Sequence, residues 1–135
     1  MLTARDIMTA DVVVISQKYS VRAAIELLIS EQISGLPVVD ENERLVGIVT
    51  EFALLATAYD DSVCSDAVAQ HMTTDVLTVD ANDPVRKVAD VFIVHRVRRV
   101  PVMERGRVVG LISRRDVLKA VFEGATSSDA SRAPR

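Results

Sequence analysis

The fold is decided by the stretch Ile33-Ser34-Gly35-Leu36-Pro37-Val38, which recurs 64 residues later as Val97-Arg98-Arg99-Val100-Pro101-Val102. Two further stretches recur with it. Met8-Thr9-Ala10-Asp11-Val12-Val13 matches Met72-Thr73-Thr74-Asp75-Val76-Leu77 at the same offset, and Arg44–Thr50 matches Arg107–Ser113 at an offset of 63. Self-similarity at a fixed period is typical of a duplicated structural unit. The chain therefore consists of two copies of one unit.

Each copy predicts the element order β-α-β-β-α. In the first copy, a β-branched run over Val12–Ile15 precedes a helix capped by Ser20. A hairpin of Leu36–Val39 with Leu45–Val49 follows, and a helix over Glu51–Thr57 closes the unit. The second copy predicts the same elements at Val76–Val79, at a helix that starts at Pro84 with Asp83 as N-cap, at Val100–Met103, at Val108–Ile112 and at Arg114–Phe122.

A unit of about 60 residues buries too little surface to be stable alone. We therefore expect an α/β (α+β) fold in which the two tandem repeats pack against each other with pseudo-twofold symmetry. The predicted boundaries are 1–58 for the first repeat, 59–70 for a connector with a short helix, 71–122 for the second repeat and 123–135 for a disordered tail.

Composition supports a folded core without a membrane segment. The 135 residues are 49% hydrophobic and 26% charged, and only 4% are aromatic, so the core is aliphatic. No stretch approaches the ~20 apolar residues of a membrane helix, and the N-terminus lacks the pattern of a secretory signal. Cys64 is the single cysteine, and with His71 and His95 it does not form a usual zinc site. These features predict a soluble cytoplasmic protein with no metal.

The charge of the chain is unevenly distributed. The net charge is -3, but residues 96–119 hold eight basic and two acidic side chains, so this segment is +6 and the remainder is -9. A basic segment on an acidic protein favours a local anionic partner over general nucleic-acid affinity. The alternative interpretation is a solvated charged face without a ligand.

The repeated motifs resemble a known family. Met-Thr-x-Asp-Val, then Leu36-Pro37-Val38-Val39, then Leu45-Val46-Gly47-Ile48-Val49-Thr50 is similar to the CBS domain (the cystathionine β-synthase type module). The resemblance covers residues 1–122 and is that of a stand-alone CBS pair, or Bateman module. It implies an adenine nucleotide, AMP first and then ADP or ATP, bound between the repeats. It also implies a homodimer that signals to a separate regulated protein. We expect no catalysis, because the chain is poor in nucleophile and acid–base sets.

The strongest candidate site follows the last strand of the second repeat. Ser113 is placed at a helix N-cap and Asp116 in the first turn, so both side chains lie at one helix start. A helix start suits a phosphate, and the carboxylate suits the two ribose hydroxyls. The matching residues of the family have these roles. Plain helix capping by the same pair is the alternative.

Other residues complete the predicted site. We expect the backbone of Val76, Leu77 and Thr78 to bind the adenine edge, with apolar contact from Val100 and Pro101. Arg114 and Arg115 are the preferred phosphate partners, since a guanidinium presents a planar fork to phosphate oxygens. Secondary phosphate candidates are Arg98, Arg99 and Thr50; by the family's geometry, Arg98 and Arg99 point towards the cleft of the first repeat.

The first repeat departs from this pattern. Ala53 stands at the position of Asp116, and Val14 stands at that of Thr78. We therefore predict one good nucleotide site per chain. The main alternative is a dimeric structural or interaction scaffold that has lost useful nucleotide binding. A nucleic-acid binder that uses the basic segment is a third hypothesis, which the low aromatic content disfavours.

Overall fold

The computed structural model describes residues 1–129. Over these residues it contains two three-stranded sheets, ordered β1-β2-β3 and β4-β5-β6. The strands are β1 (Ile15–Ser16), β2 (Gly35–Val39), β3 (Leu45–Thr50), β4 (Val79–Asp80), β5 (Arg99–Glu104) and β6 (Arg107–Ser113). The helices are α1 (Ala4–Ile7), α2 (Val21–Glu31), α3 (Glu51–Leu55), α4 (Asp61–Cys64), a 3-10 turn (Val68–Gln70), α5 (Val85–His95) and α6 (Arg114–Asp129). The predicted class and the β-α-β-β-α order of each repeat are confirmed, as is a short helix in the connector, whereas helix α1 ahead of the first strand was not predicted.

The chain divides into two compact units that do not follow the order of the repeats. Among the described residues, unit 1 contains 1–12, 77–105 and 109–129, whereas unit 2 contains 13–76 and 106–108. The opening segment therefore belongs with the sheet of the second repeat. The predicted boundaries at 58 and 71 are boundaries in sequence, and they stay a prediction.

In unit 1, backbone pairing fixes the opening segment to the second repeat. The Ala4 N–H donates to the Asp83 carbonyl at 2.8 Å, and the Val85 N–H donates to the Leu2 carbonyl at 3.1 Å. Thr9 and Leu111 exchange two hydrogen bonds of 2.8 and 3.0 Å. Buried apolar side chains from α1, α5, α6 and the sheet then form one core. Its members include Ala4, Val79, Val88, Phe92, Val100, Val102, Ile112 and Val117.

Unit 2 has the same pairing between residues that match those of unit 1 at the repeat offset of 63 or 64. The Val21 N–H donates to the Asp66 carbonyl at 2.9 Å, and Ile48 and Thr73 exchange hydrogen bonds of 2.9 and 2.8 Å. All five residues of β2 are buried, because β1 pairs with one edge and β3 with the other. The core includes Ile15, Val21, Ala24, Leu28, Leu36, Val38, Val49, Leu54 and Val68.

A methionine packs on a glycine in each unit. A Cβ atom on Gly47 would lie 2.6 Å from the Met72 sulfur and 2.8 Å from the Thr73 carbonyl oxygen. A Cβ atom on Gly110 would collide with the Met8 sulfur and lie 2.7 Å from its Cγ. The glycine in each Val-Gly-Ile or Val-Gly-Leu motif is thus set by close packing rather than by a special backbone angle.

The first strand of each repeat is shorter than predicted. The sequence predicts strands over Val12–Ile15 and Val76–Val79, but pairing begins only at Ile15 with Val38 and at Val79 with Val102. The residue before each partner is a proline, Pro37 or Pro101. Proline has no backbone N–H, so the parallel ladder cannot extend towards the start of the strand.

The helix ends also differ from the prediction in the second repeat. Ser20 caps α2 as predicted, since its hydroxyl accepts from the Ala23 N–H at 3.1 Å. The N-cap of α5 is Pro84 rather than Asp83, because the Asp83 carboxylate instead accepts from the Asp80 N–H at 2.9 Å. Helix α6 continues to Asp129, past the predicted end at Phe122. The rest of the predicted tail, residues 130–135, lies outside the described residues.

Candidate functional site

The topology of unit 1 brings most of the predicted site to one end of its sheet. Strand β4 runs parallel to β5, so the starts of both strands lie at the same end. The Arg114 N–H donates to the Arg98 carbonyl at 3.0 Å, which places the start of α6 at that end too. We call this region the Asp116 end; its residues are Leu77–Thr78, Arg98–Pro101 and Ser113–Asp116. Val76 belongs to unit 2.

Backbone groups at the Asp116 end are left without ladder partners. The Met103 carbonyl accepts from the Ala81 N–H at 2.9 Å, which fixes the register of the parallel ladder between β4 and β5. In this register, Pro101 stands at a position of β5 from which a backbone N–H would donate to β4. Because Pro101 has no N–H, Leu77 and Thr78 precede the paired part of β4. Within residues 1–129, we find no hydrogen bond from the backbone N–H of either residue outside the ladder. A free strand edge of this kind can pair with the hydrogen-bonding edge of a planar base.

Ser113 and Asp116 form a reciprocal cap at the start of α6. The Ser113 N–H donates to Asp116 Oδ2 at 2.9 Å, and the Asp116 N–H donates to the Ser113 hydroxyl at 3.2 Å. Both residues are half-buried. The predicted placement at a helix start is therefore confirmed, and the capping role is visible. The cap leaves Asp116 Oδ1 without a protein partner among the described residues, so the carboxylate keeps accepting capacity for a hydroxyl group.

Asp116 lines a hollow of about 430 Å³. Its charged neighbours there are Asp6, Lys119 and Glu123. Hydrogen bonds from the Thr3 N–H and hydroxyl hold the pKa of Asp6 below its ordinary value. Three carboxylates against one ammonium make this hollow better suited to sugar hydroxyls than to a phosphate.

The structure does not bring the predicted phosphate partners into this hollow. Arg114 and Arg115 line a different surface, an apolar groove along α5 and α6. Helical geometry explains the separation, because successive side chains point about 100° apart and Asp116 shares its face with Lys119 and Glu123. The backbone of Arg98 lies at the Asp116 end, and its side chain is exposed. The phosphate roles of all the arginines stay a prediction.

The corresponding end of unit 2 keeps the cap and lacks the carboxylate. Thr50 caps α3, with its hydroxyl accepting from the Ala53 N–H at 3.1 Å. Ala53 has no side-chain oxygen that could accept from the Thr50 N–H or from a ligand. Ser34 and Gly35 replace the Arg98-Arg99 pair, and Glu51 replaces Arg114. The two ends therefore have a similar capped helix start but different side chains around it.

Sequence reasoning missed Asp6 and Lys119 as neighbours of Asp116. Lys119 was detectable, because it lies three residues from Asp116 and so shares its helix face. Asp6 could not be detected from the sequence, because it lies near Asp116 only through the pairing of residues 1–12 with the second repeat. Among the described residues, no group of three or more His, Cys, Asp or Glu side chains is arranged to hold a metal ion. No described helix is long and apolar enough to cross a membrane.

Comparison with known proteins identifies the family. The model of the CBS domain matches the chain over residues 4–59 and again over residues 66–123. Hypoxic response protein 1 of Mycobacterium tuberculosis is 32% identical over 130 residues, which cover 93% of this chain and 89% of that protein. The chain spans only 41% of an uncharacterized protein of Methanocaldococcus jannaschii, MJ1225, which is 26% identical over 85% of this chain.

Two solved structures share the fold and contain adenosyl compounds. CBSX2 in complex with AMP matches with a TM-score of 0.81 and 29% identity, over 93% of this chain and 99% of that one. The CBS domain pair of MJ0100, in complex with 5′-methylthioadenosine and S-adenosyl-L-methionine, has a TM-score of 0.77 and 28% identity, over 93% and 98% of the two chains. Together with the two matches along the sequence, these likenesses lead to one conclusion: the chain belongs to the CBS domain family and carries two copies of the domain in tandem.

Proposed function

We propose that this chain is a regulatory protein that binds one adenosyl ligand, of the AMP type, at the Asp116 end. The observation that carries the proposal is the half-buried carboxylate of Asp116, which Ser113 holds at the helix start with one oxygen unused. Similar CBS pairs with AMP or with S-adenosyl-L-methionine and 5′-methylthioadenosine support the class of ligand.

Each part of the ligand has a chemical counterpart in this proposal. The ribose hydroxyls donate to the Asp116 carboxylate, in the hollow that is rich in carboxylates. The adenine edge pairs with the unladdered backbone of Leu77 and Thr78 and packs on Val100 and Pro101. The backbone of Val76 continues the same segment. ADP and ATP fit the same contacts, and the phosphate binds among the arginines of the basic segment.

We also propose that this chain forms a homodimer and that it regulates a separate protein. They are supported by the family to which the chain belongs, in which stand-alone pairs sense a ligand. We assign no catalytic step to the Asp116 end. The competing function is a dimeric scaffold without useful nucleotide binding, and the reciprocal cap of Ser113 and Asp116 favours it, since capping alone accounts for both side chains.

Calorimetric titration separates the two functions. AMP, ADP, ATP, S-adenosyl-L-methionine and GTP are titrated into the wild-type chain and into Asp116→Ala, after copurified nucleotide has been removed. We expect one AMP per chain, with affinity about 10- to 100-fold weaker in Asp116→Ala, because hydrogen bonds to a charged group contribute about 1.5–3 kcal/mol.

The matched control is Asp60→Ala, which removes the cap of α4, where Asp60 accepts from the Ser62 N–H at 2.9 Å. It makes the same chemical change at a helix start of unit 2 that is not part of the proposed site, and it should leave AMP affinity unchanged. No heat with any adenosyl compound would rule out the sensor and leave the scaffold.

A further inference from the structure

The hollow beside Asp116 has walls from two separate parts of unit 1. One wall belongs to α6, and the other to the first twelve residues, which we call the opening segment and which contribute Leu2, Asp6 and Ile7. The volume of about 430 Å³ lies within the range of small-ligand pockets. A ligand that contacts Asp116 in this hollow therefore lies next to the opening segment as well.

Asp6 and Asp116 are held in the same way. Each is the third residue of its helix, and each carboxylate accepts from the N–H of the residue three positions earlier. The Thr3 N–H donates to Asp6 Oδ2 at 2.8 Å, and the Ser113 N–H donates to Asp116 Oδ2 at 2.9 Å. The Thr3 N–H and hydroxyl together lower the pKa of Asp6, so its carboxylate is ionised at neutral pH. Within residues 1–129, Oδ1 of either aspartate accepts no hydrogen bond.

The free oxygens match the two hydroxyl donors of a ribose. Asp116 Oδ2 is occupied by the Ser113 N–H, so Asp116 has one wholly free oxygen for two neighbouring hydroxyls. Asp6 has the other free oxygen and lines the same hollow, where Lys119 is the one cation among the described lining residues. Ionised carboxylates that line one hollow repel each other, and a hydroxyl donor on each of them offsets this repulsion.

We propose that Asp6 accepts the 3′-hydroxyl of the ligand whose 2′-hydroxyl donates to Asp116, so that the bound ligand joins the opening segment to α6. This inference rests on the proposed function and deepens it, since it divides the ribose between two carboxylates and makes the docking of the opening segment depend on the ligand. A ligand that binds only the docked segment stabilises that docked state. The matching residues of the first repeat, Gln70 and Ala53, carry no carboxylate and provide a control.

Calorimetry with AMP and 3′-deoxy-AMP tests the contact. Asp6→Asn keeps an oxygen for the Thr3 N–H but loses the free acceptor, so AMP should bind about 10-fold more weakly. Removing the 3′-hydroxyl should weaken binding about as much in the wild-type chain and cost little more in Asp6→Asn. Gln70→Ala, which removes the matching acceptor of the Ala67 N–H, should leave AMP affinity unchanged. Wild-type affinity in Asp6→Asn would overturn this inference alone, whereas no AMP binding by the wild-type chain would overturn the proposed function with it.

Amide hydrogen exchange tests the coupling without any substitution. The amides that fix the opening segment to the second repeat are those of Ala4, Arg5 and Thr9. The matching amides, which donate within unit 2, are those of Val68, Ala69 and Thr73. With AMP at 100 times its dissociation constant, the first set should exchange about 10-fold more slowly or less, and the second set should change less than about twofold. In Asp6→Asn at equal saturation, the slowing should be lost. Equal slowing of both sets, or none while AMP is bound, would overturn the coupling.

Discussion

The starts of α6 and α3 show what duplication preserved and what it let change. At both, a hydroxyl caps the helix by accepting from the N–H three residues later, from Ser113 to Asp116 and from Thr50 to Ala53. Only α6 returns a carboxylate to the N–H of its capping residue. The hydroxyl alone is therefore sufficient to start such a helix. The carboxylate of Asp116 adds a second hydrogen bond to this cap, and its other oxygen is left for the ligand-binding role that we propose.

The largest effect we predict concerns the packing that both units share. Gly47→Ala should lower the free energy of unfolding by about 2–3 kcal/mol, whereas Gly110→Ala should lower it by about 1–2 kcal/mol. The Thr73 carbonyl oxygen near Gly47 is backbone and cannot move aside, while the closest atoms to Gly110 belong to the flexible Met8 side chain. Urea denaturation measures both values.

A second substitution, at the methionine that packs on each glycine, should recover part of the lost stability. Met8→Ala should recover most of the loss in Gly110→Ala, since the collision is with the Met8 side chain. Met72→Ala should recover less of the loss in Gly47→Ala. Equal rescue in the two units would show that the Thr73 backbone does not limit the space at Gly47.

An intermediate effect is predicted for a carboxylate built into the first repeat. Ala53→Asp should raise the free energy of unfolding by about 0.3–1 kcal/mol, because it supplies an acceptor to the Thr50 N–H and an anion to the helix start. Ala53→Asn is the control, since it keeps the acceptor without the charge. An unchanged or lower stability in Ala53→Asp would mean that the two helix starts differ in backbone as well as in side chain.

The smallest predicted effect is a difference in the pH dependence of stability between the segments that open the two repeats, residues 3–6 and residues 67–70. Hydrogen bonds from Thr3 hold the pKa of Asp6 below its ordinary value, so they contribute stability above about pH 4 that is lost as the pH falls through the lowered pKa. The corresponding Ala67 N–H donates to the Gln70 amide oxygen at 2.9 Å, which does not titrate in this range. Asp6→Asn should flatten the acid limb of the stability profile, and Gln70→Ala should leave its shape unchanged. A profile that Asp6→Asn does not alter would contradict this assignment.

The sequence predicted the elements better than their partners. The repeat placed the hairpins, helices α2 and α5, and the Ser113–Asp116 cap, because these follow from local spacing and from the match between copies. It could not predict that Met8 packs on Gly110, since that contact joins residues about 100 positions apart. The shortened first strands were foreseeable from Pro37 and Pro101, whose missing N–H groups end the ladder. The separation of Arg115 from Asp116 was also foreseeable, from the 100° step of a helix.

We propose that the Asp116 carboxylate binds the ribose of an adenosyl ligand. The most direct measurement is a double-mutant cycle by calorimetry, with AMP and 2′-deoxy-AMP titrated into the wild-type chain and Asp116→Ala. If the carboxylate accepts the 2′-hydroxyl, removing either group should weaken binding about tenfold or more, and removing both should cost little beyond that. Losses that multiply independently would show that Asp116 only caps α6, and would contradict the account.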